Sequence, residues 1–280
     1  MIAYYILFHY MPMYGATIAF RDFSPMRGFF ESPWVGMKHF RNFFQDVYFT
    51  RILRNTLSIS ALNLLFGFPA PILLALMINE VRSTLFKRTV QTICYLPHFI
   101  SLMVICGMIL DFTASDGVIN DIIAFFGGKR ATMLINPGRF RPVYIISEIW
   151  QTVGWGSIIY LAALSGIDSQ LYEAARIDGA GRFRQTLHIT LPGILPTVIV
   201  ILIIRVGQVM NLGFEKIILL YTPATYETAD VISSYVYRKG LQDFNYSFSA
   251  AVGLFNSLIN LVLLSGTNYL SKRATDNSLW

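Results

Sequence analysis

The residues that most often carry out enzyme chemistry are few in this sequence and stand far apart. Its four histidines are scattered along the chain: His9, His39, His98 and His188. They form neither a His-Glu-x-x-His motif nor a metal-binding cluster with the cysteines. The nearest approach to a P-loop, Gly127-Gly128-Lys129-Arg130, lacks the first glycine and the final Ser or Thr. The sequence therefore predicts a protein that is not an enzyme and binds no metal, cofactor or ATP itself.

Two charged residues, Glu148 and Arg205, stand inside otherwise apolar stretches of the chain. An unpaired arginine in the centre of a membrane helix costs about 2.5–3.5 kcal/mol, so a partner or a water-filled cavity is expected. Counting about 1.5 Å per helical residue puts both charges at nearly the same depth. One hypothesis is a structural Glu148–Arg205 ion pair. The other is that Arg205 faces a solute pathway with Gln208 and Asn211, and a carboxylated solute would suit it, because arginine can bind a carboxylate through two hydrogen bonds.

The most specific pattern in the sequence is the polar stretch EAARIDGAGRFRQTLHITLP, between two apolar segments. Residues 173–178 favour a helix, and Gly179 and Gly181 are expected to break it. A second short helix is predicted from Arg182 to about Ile189, ending near Pro192. The alanines leave little side-chain bulk, so another protein could approach the backbone closely, while Glu173 and the arginines offer charge at the rim. This pattern predicts a protruding docking loop over residues 165–193.

The elements that must position these residues are long apolar segments. Hydrophobic residues make up 54% of the chain and charged residues only 14%, against about 25% in soluble domains. Apolar segments of roughly the length that crosses about 30 Å of hydrocarbon lie at 1–20, 56–78, 90–110, 143–164, 194–214 and 248–270. Prolines 69 and 71 predict a kink in the second segment. We therefore predict an all-α integral membrane protein of about six transmembrane helices, with residues 1–280 forming a single domain.

Two further patterns concern the arrangement in the membrane. Phe40, Phe43, Phe44 and Val47 recur at helical spacing with polar residues opposite, which predicts an external amphipathic helix lying at the membrane interface. Basic residues cluster at 82–88, 176–184 and 272–273, and the positive-inside rule places these loops in the cytoplasm. The basic residues of loop 21–54 lie on the other side and weaken this orientation. No basic stripe alternates with aromatic residues, so nucleic acid is not an expected partner.

The docking-loop pattern resembles the EAA---G---------I-LP signature of permease subunits of binding-protein-dependent ABC importers. The similarity extends to HYMPMYGATIAFRDF, SPWVGMKHFRNFF and GFEKIILLYTPATYETADVISSYVYRKGL, which resemble the branch of that family that imports oligosaccharides. The resemblance implies a bacterial cytoplasmic (inner) membrane protein that moves a solute inward by alternating access.

The resemblance also implies partners and contact residues. The expected partners are a second homologous permease subunit, two ATPase subunits that bind ATP and Mg²⁺, an extracytoplasmic solute-binding protein, the sugar itself and membrane lipid. The residues expected to couple this chain to the ATPase are Glu173, Ala174, Ala175, Asp178, Gly179, Ala180, Ile189, Leu191 and Pro192.

An alternative function is an ion-coupled secondary transporter that works without ATPase subunits. Such a protein would need intramembrane carboxylates or unwound helices that hold Na⁺ or H⁺ near the midplane. Glu148 is the one acidic residue well inside a predicted segment, and a docking loop would then have no purpose.

Overall fold

The computed structural model describes residues 1–275, whose secondary structure is helical apart from two isolated backbone bridges between residues 21 and 34. The main helices, in chain order, are α1 (residues 2–20), α2 (Lys38–Phe44), α3 (Phe49–Glu80), α4 (Thr84–Phe99), α5 (Leu102–Thr113), α6 (Val118–Phe125), α7 (Pro137–Ser165), α8 (Ser169–Ile177), α9 (Arg182–Gly207), α10 (Phe214–Leu220), α11 (Ile232–Tyr237) and α12 (Tyr246–Thr275). Short helical turns lie at Gly28–Glu31, Met133–Ile135, Pro223–Thr225, Tyr226–Ala229 and Arg238–Gln242.

Four helical stretches within residues 1–275 are long and apolar enough to cross a membrane: Phe49–Glu80, Leu102–Phe125, Arg182–Gly207 and Tyr246–Arg273. The predicted all-helical membrane architecture is thereby confirmed. Helices α1, α4 and α7 coincide with parts of the other predicted segments, but they are not both long enough and apolar enough to count among these four stretches. The count of six crossings stays a prediction.

The predicted kink at the two prolines of α3 is accommodated by a wide helical turn. Residues Asn63–Gly67 form one π-helical turn directly before Pro69, and the Phe68 N–H donates to the Asn63 carbonyl at 3.0 Å. Because proline has no N–H, a helix that contains it must leave a carbonyl free. The wide turn absorbs this irregularity, so α3 continues to Glu80.

The segment predicted at 90–110 is two helices, and its prediction as one span was wrong. Helix α4 ends at Phe99, two residues after Pro97, and the Ser101 hydroxyl accepts a hydrogen bond from the Val104 N–H at 3.4 Å at the start of α5. Proline weakens the last turn of α4, and a serine N-cap starts the next helix. The two free cysteines, Cys94 and Cys106, therefore lie on different helices.

The segment predicted at 194–214 also has other bounds. Helix α9 begins at Arg182 and ends at Gly207, residues 208–213 are unwound, and α10 follows. Side chains from other helices satisfy the backbone that the break exposes. The Asn260 side chain accepts from the Met210 N–H at 3.1 Å, and the Ser233 hydroxyl donates to the Leu212 carbonyl at 2.9 Å. Broken helices are tolerated at membrane depth where neighbouring groups replace the lost hydrogen bonds.

The predicted interfacial helix packs with one side against the rest of the protein. Helix α2 ends at Phe44, so Val47 lies outside it and is 91% exposed. Phe43 is fully buried, with its ring 5.3 Å from that of Phe255 on α12. His39, which the pattern placed on the polar face, is also buried, with Nε2 3.1 Å from the Arg21 carbonyl oxygen. Packing against α12 thus decides the orientation of α2. The prediction was wrong in placing Val47 in the helix and His39 on its polar face, and the position of α2 at the membrane interface stays a prediction.

The apolar core is divided along the long helices. One buried cluster joins α3, α7 and the start of α9, around Ala75, Tyr160, Leu164 and Ile194. A second joins α3, α5, α7 and α10 further along the same helices, around Ile59, Ile105, Tyr144 and Ile217. The predicted docking loop adjoins the first cluster through Ile167 and Leu191, and the segment after Gly207 adjoins the second through Leu212.

Candidate functional sites: the EAA loop and a polar cavity

The predicted docking loop is a helical hairpin whose tip is closed by local hydrogen bonds. The Ala180 N–H donates to the Ala175 carbonyl at 2.8 Å, and the Gly179 N–H donates to the Arg176 carbonyl at 3.1 Å. These are the two bonds of a Schellman motif, which requires a left-handed residue after the helix. Gly179 fills that position with φ of +73°. The predicted break at Gly179 is confirmed, while α8 begins at Ser169, earlier than the predicted residue 173.

Side-chain hydrogen bonds hold the two arms of the hairpin together. The Tyr172 hydroxyl on α8 lies 3.0 Å from the hydroxyl of Thr190, which is buried on α9. The Gln185 amide donates to the Ala180 carbonyl at 2.7 Å. Helix α9 does not end near Pro192 as predicted. A π-helical turn at Thr186–Thr190 precedes that proline, so the helix runs on into the membrane segment.

The predicted coupling residues separate into two groups. Glu173, Ala174, Asp178 and Gly179 are exposed at the tip, and Ala175 and Ala180 are half-buried beside them. Ile189, Leu191 and Pro192 lie further along α9, close to the buried Ile194, and are not part of the tip. The tip also carries two large apolar side chains that sequence reasoning passed over: Ile177 is 87% exposed and Phe183 is 80% exposed.

The second candidate site is a polar cavity of about 100 Å³ between α3, α7 and the end of α9. All four residues predicted to line a solute pathway are in its wall: Glu148, Arg205, Gln208 and Asn211. Glu148 and Arg205 are the charged members of that wall among the residues that the structure describes. The prediction had placed Gln208 and Asn211 on successive turns of one helix. They lie instead in the unwound segment after Gly207.

The predicted Glu148–Arg205 ion pair is not present. Glu148 pairs instead with Lys216 of α10, whose ammonium nitrogen lies 2.8 Å from the Glu148 Oε2 atom. The same ammonium donates to the Gln151 side-chain oxygen at 3.1 Å and lies 5.6 Å from the centre of the Tyr144 ring. Lys216 is only 3% exposed. The pairing was wrong because the prediction took residues 194–214 as one unbroken helix, whereas the break at 208–213 allows Lys216 of α10 to reach Glu148 on α7.

The Arg205 side chain has neither a hydrogen bond nor a carboxylate partner within the described part of the chain, and it is exposed on the cavity. Asn211, at the other end of the unwound segment, accepts a hydrogen bond from the Asn256 amide at 2.7 Å. The cavity therefore presents an unpaired guanidinium, the amide side chains of Asn63, Gln208 and Asn211, and a carboxylate that already pairs with Lys216. Such groups can bind hydroxyl and carboxylate oxygens of a polar solute.

Sequence reasoning missed Lys216, although two signals pointed to it. Gly207, Asn211 and Gly213 are poor helix formers inside a short stretch, which is a signal for a broken helix. Lys216 is then a single cation within the apolar run that follows. A charge in such a run is expected to find a partner, and Glu148 was a candidate in another apolar segment, besides the adjacent Glu215.

A buried polar network around Asp230 connects the N-terminal parts of α3 and α7. Asp230 is fully buried and forms a two-bond ion pair with Arg238, at 2.8 and 2.6 Å. The Asn55 amide of α3 donates to the Asp230 carbonyl at 2.9 Å, and the Arg141 guanidinium of α7 donates to the Asn55 side chain at 2.8 Å. These bonds join α3, α7 and the segment after α10. Helices α3 and α7 also contribute to the cavity wall, so the network stabilises their relative position.

Comparisons with known proteins relate this chain to membrane components of transport systems. A family profile described as "Binding-protein-dependent transport system inner membrane component" matches residues 67–276. The chain is 45% identical to Protein LplB of Bacillus subtilis (strain 168) over 280 residues, covering 100% of this chain and 88% of that protein. It is 46% identical over 278 residues to the polygalacturonan/rhamnogalacturonan transport system permease protein YteP of the same organism, covering 99% of this chain and 87% of that one.

A solved structure gives the same relation. The fold is similar to a chain in the crystal structure of a bacterial alginate ABC transporter in complex with an alginate pentasaccharide-bound periplasmic protein, with a TM-score of 0.91 and 46% identity. The match covers 99% of this chain and 93% of that chain.

Proposed function

The chain belongs to the family of binding-protein-dependent transport system inner membrane components, and from this premise we propose that it is the permease subunit of an oligosaccharide importer. The observation that carries the proposal is the exposed EAA hairpin at the start of α9, directly continuous with the helix that lines the polar cavity. The relatives named above include a polygalacturonan/rhamnogalacturonan permease and an alginate transporter. An ion-coupled secondary transporter is not favoured, because the family consists of components of binding-protein-dependent transport systems.

Residues 165–193 are proposed as the docking loop for an ATPase subunit, which would bind ATP and Mg²⁺ in this chain's place. The tip combines small side chains at Ala174 and Ala175 with the exposed apolar groups Ile177 and Phe183. Exposed apolar side chains of that size favour contact with another protein, because burying them there removes them from water. Glu173 lies beside them and would pair with a basic residue of the partner.

The remaining partners follow from the same premise. Large apolar side chains are exposed along α12, among them Leu258, Val262 and Leu270, each at least 60% exposed. Such a surface suits membrane lipid and a second homologous permease subunit. A solute-binding protein would deliver the sugar at the end opposite the hairpin. We propose six crossings of a bacterial cytoplasmic membrane, with the hairpin in the cytoplasm and residues 1–280 forming one permease domain.

The solute is proposed to pass Arg205, Gln208 and Asn211. Unwound helices at membrane depth are found where transporters bind their substrates, because freed backbone and polar side chains can face the pathway. Arg205 suits a solute with carboxylates, and the related alginate transporter imports an acidic polysaccharide. Glu148 lies on the same wall but is engaged by Lys216.

The docking proposal is tested by charge reversal at the hairpin. We expect Glu173→Lys to leave the chain in the membrane but to weaken solute-stimulated ATP hydrolysis in the reconstituted complex, because the partner's basic residue would then face a like charge. The matched control is Asp116→Lys, an equally drastic reversal at an exposed position between α5 and α6. Full stimulation in Glu173→Lys, or equal loss in both variants, would count against docking through this hairpin.

A further inference from the structure

Lys216 is buried beside the polar cavity, where it pairs with Glu148 of the cavity wall. We propose that Lys216 is a positioning residue that determines specificity: it engages Glu148 and so leaves Arg205 as the uncompensated charge of the cavity, which selects solutes that carry carboxylates. The inference rests on the proposed function, whose solute pathway it makes more specific.

The first support is the position of the ammonium group. Lys216 is 3% exposed, whereas the side chain of its partner Glu148 remains 26% exposed and lies in the cavity wall. The lysine therefore stands behind the carboxylate, away from the solute. Its remaining contacts, to the Gln151 side-chain oxygen and the Tyr144 ring, also hold it there.

The second support is the charge that the cavity presents. Glu148 and Arg205 are the charged members of the wall as far as the structure describes it, and together they would make it neutral. With the positive charge of Lys216 directly behind Glu148, the site carries a net charge of about +1, centred on Arg205. In a polar cavity one uncompensated charge of this kind favours an anion over a neutral molecule of the same shape.

The third support is that the carboxylate nearest to hand for Arg205 is already engaged by a residue of another helix. Glu148 is held on α7 by an ammonium from α10, and α10 reaches α7 because the chain unwinds between residues 208 and 213. Arg205 lies on the near side of that break and is left without a partner within the described chain. Without Lys216, Glu148 would be the carboxylate available to Arg205, and the cavity would lose its net positive charge.

The test compares one sugar in two charge states. Proteoliposomes would contain this chain with its partner permease, the ATPase subunits and the binding protein, and uptake of a galacturonate trisaccharide would be compared with uptake of its fully methyl-esterified form. We expect the wild type to favour the carboxylated form and Lys216→Met to shift the ratio of kcat/KM values toward the ester by about tenfold or more, as for the loss of a charge-assisted contact. The binding protein is identical in every assay, so the change in ratio reports on the permease.

Three variants separate this role from a purely structural one. Lys216→Met combined with Glu148→Gln should restore the preference for the carboxylated form, because Arg205 is again uncompensated. Glu148→Gln alone and Lys216→Arg should keep it. Assembly is checked in each case by copurification of the ATPase subunits. Equal loss of both sugars in Lys216→Met, or an unchanged ratio, would overturn the inference, as would loss of the preference in Glu148→Gln.

The importer proposal and the inference about charge selection can be refuted separately. A wild-type complex that transports neither sugar form would count against the oligosaccharide importer and therefore against this inference with it. A wild-type complex that transports both forms equally would leave the importer intact and overturn the charge selection alone.

Discussion

Replacing Gly179 with alanine should weaken docking of the ATPase without unfolding the permease. Gly179 closes the tip of the EAA hairpin with φ of +73°, and a Cβ added there would meet no atom within 4 Å. The cost is therefore conformational and not steric. A left-handed conformation costs a residue with a Cβ roughly 1–2 kcal/mol.

That strain can be converted into a measurable shift. If the hairpin docks only with its Schellman turn intact, about 1–2 kcal/mol lowers the fraction of docking-competent tips by roughly 5- to 30-fold. We expect the concentration of ATPase subunit that half-saturates permease-containing membranes to rise by that factor. The assay adds purified ATPase subunit to membranes stripped of it and measures bound protein and solute-stimulated ATP hydrolysis.

The chain contains a matched control two residues away. Gly181 is also exposed and free of contacts within 4 Å, but its φ is −68°, which any residue adopts. Gly181→Ala should bind the ATPase as the wild type does. Gly179→Asn should fall between the two, because asparagine tolerates the left-handed region better than alanine. Equal effects of alanine at both glycines, or none at Gly179, would refute a docking role for this turn.

Two further predictions concern topology and packing. In a parent with both native cysteines replaced, single cysteines at the exposed Arg184 and Lys272 should react with a membrane-impermeant thiol reagent from the cytoplasmic side only. A cysteine at Ala224, which is exposed where its neighbour Thr225 is buried, should react from outside only, and labelling of position 184 in intact cells would reverse the proposed orientation. Gly154→Ala should lower the melting temperature of the detergent-solubilised protein, because the added Cβ would lie 2.0 Å from a backbone oxygen of α4, and overpacking typically costs about 1–3 kcal/mol. Gly107→Ala, whose Cβ would meet nothing within 4 Å, is its control, and equal melting temperatures for the two variants would contradict the packing argument.

The EAA hairpin could be predicted well from sequence because its structure is local. The bonds that close the tip join residues no more than five positions apart, from Ala180 to Ala175 and from Gly179 to Arg176. A glycine at the left-handed position is a signal that sequence alone can supply. The end near Pro192 was misjudged because a proline was taken as a stop, whereas the π-helical turn before it lets α9 continue.

The ends of the membrane segments were predicted less well, since hydropathy measures composition and not helix continuity. Residues 90–110 and 194–214 are predominantly apolar, yet the chain leaves the helix at Ile100 and again after Gly207. The groups that make the second break tolerable are Asn260 and Ser233, which lie on other helices and far away in sequence. No local pattern reveals such partners.

The ion pair in the cavity shows how one misplaced break changes a conclusion about chemistry. The sequence suggested Arg205 as the partner of Glu148 because both were counted to one depth along unbroken helices. The break moves Lys216 to that depth on a separate helix, 68 positions along the chain from Glu148. The four residues predicted to line a solute pathway do lie in the wall of one cavity, and their role in transport stays a prediction. The charge that the cavity presents could be derived only from the contact of α10 with α7.

Helix α9 relates the two candidate sites to each other. It starts at the EAA hairpin and carries Arg205 in its last turn, so one continuous helix joins the proposed docking surface to the cavity. The Glu148–Lys216 ion pair does not belong to that helix, because Glu148 lies on α7 and Lys216 lies on α10, beyond the break. A movement of the hairpin against the rest of the chain would therefore shift Arg205 relative to a Glu148–Lys216 pair that stays together. We expect the position of the unpaired guanidinium, and with it the hold on a carboxylated solute, to depend on how the hairpin is engaged.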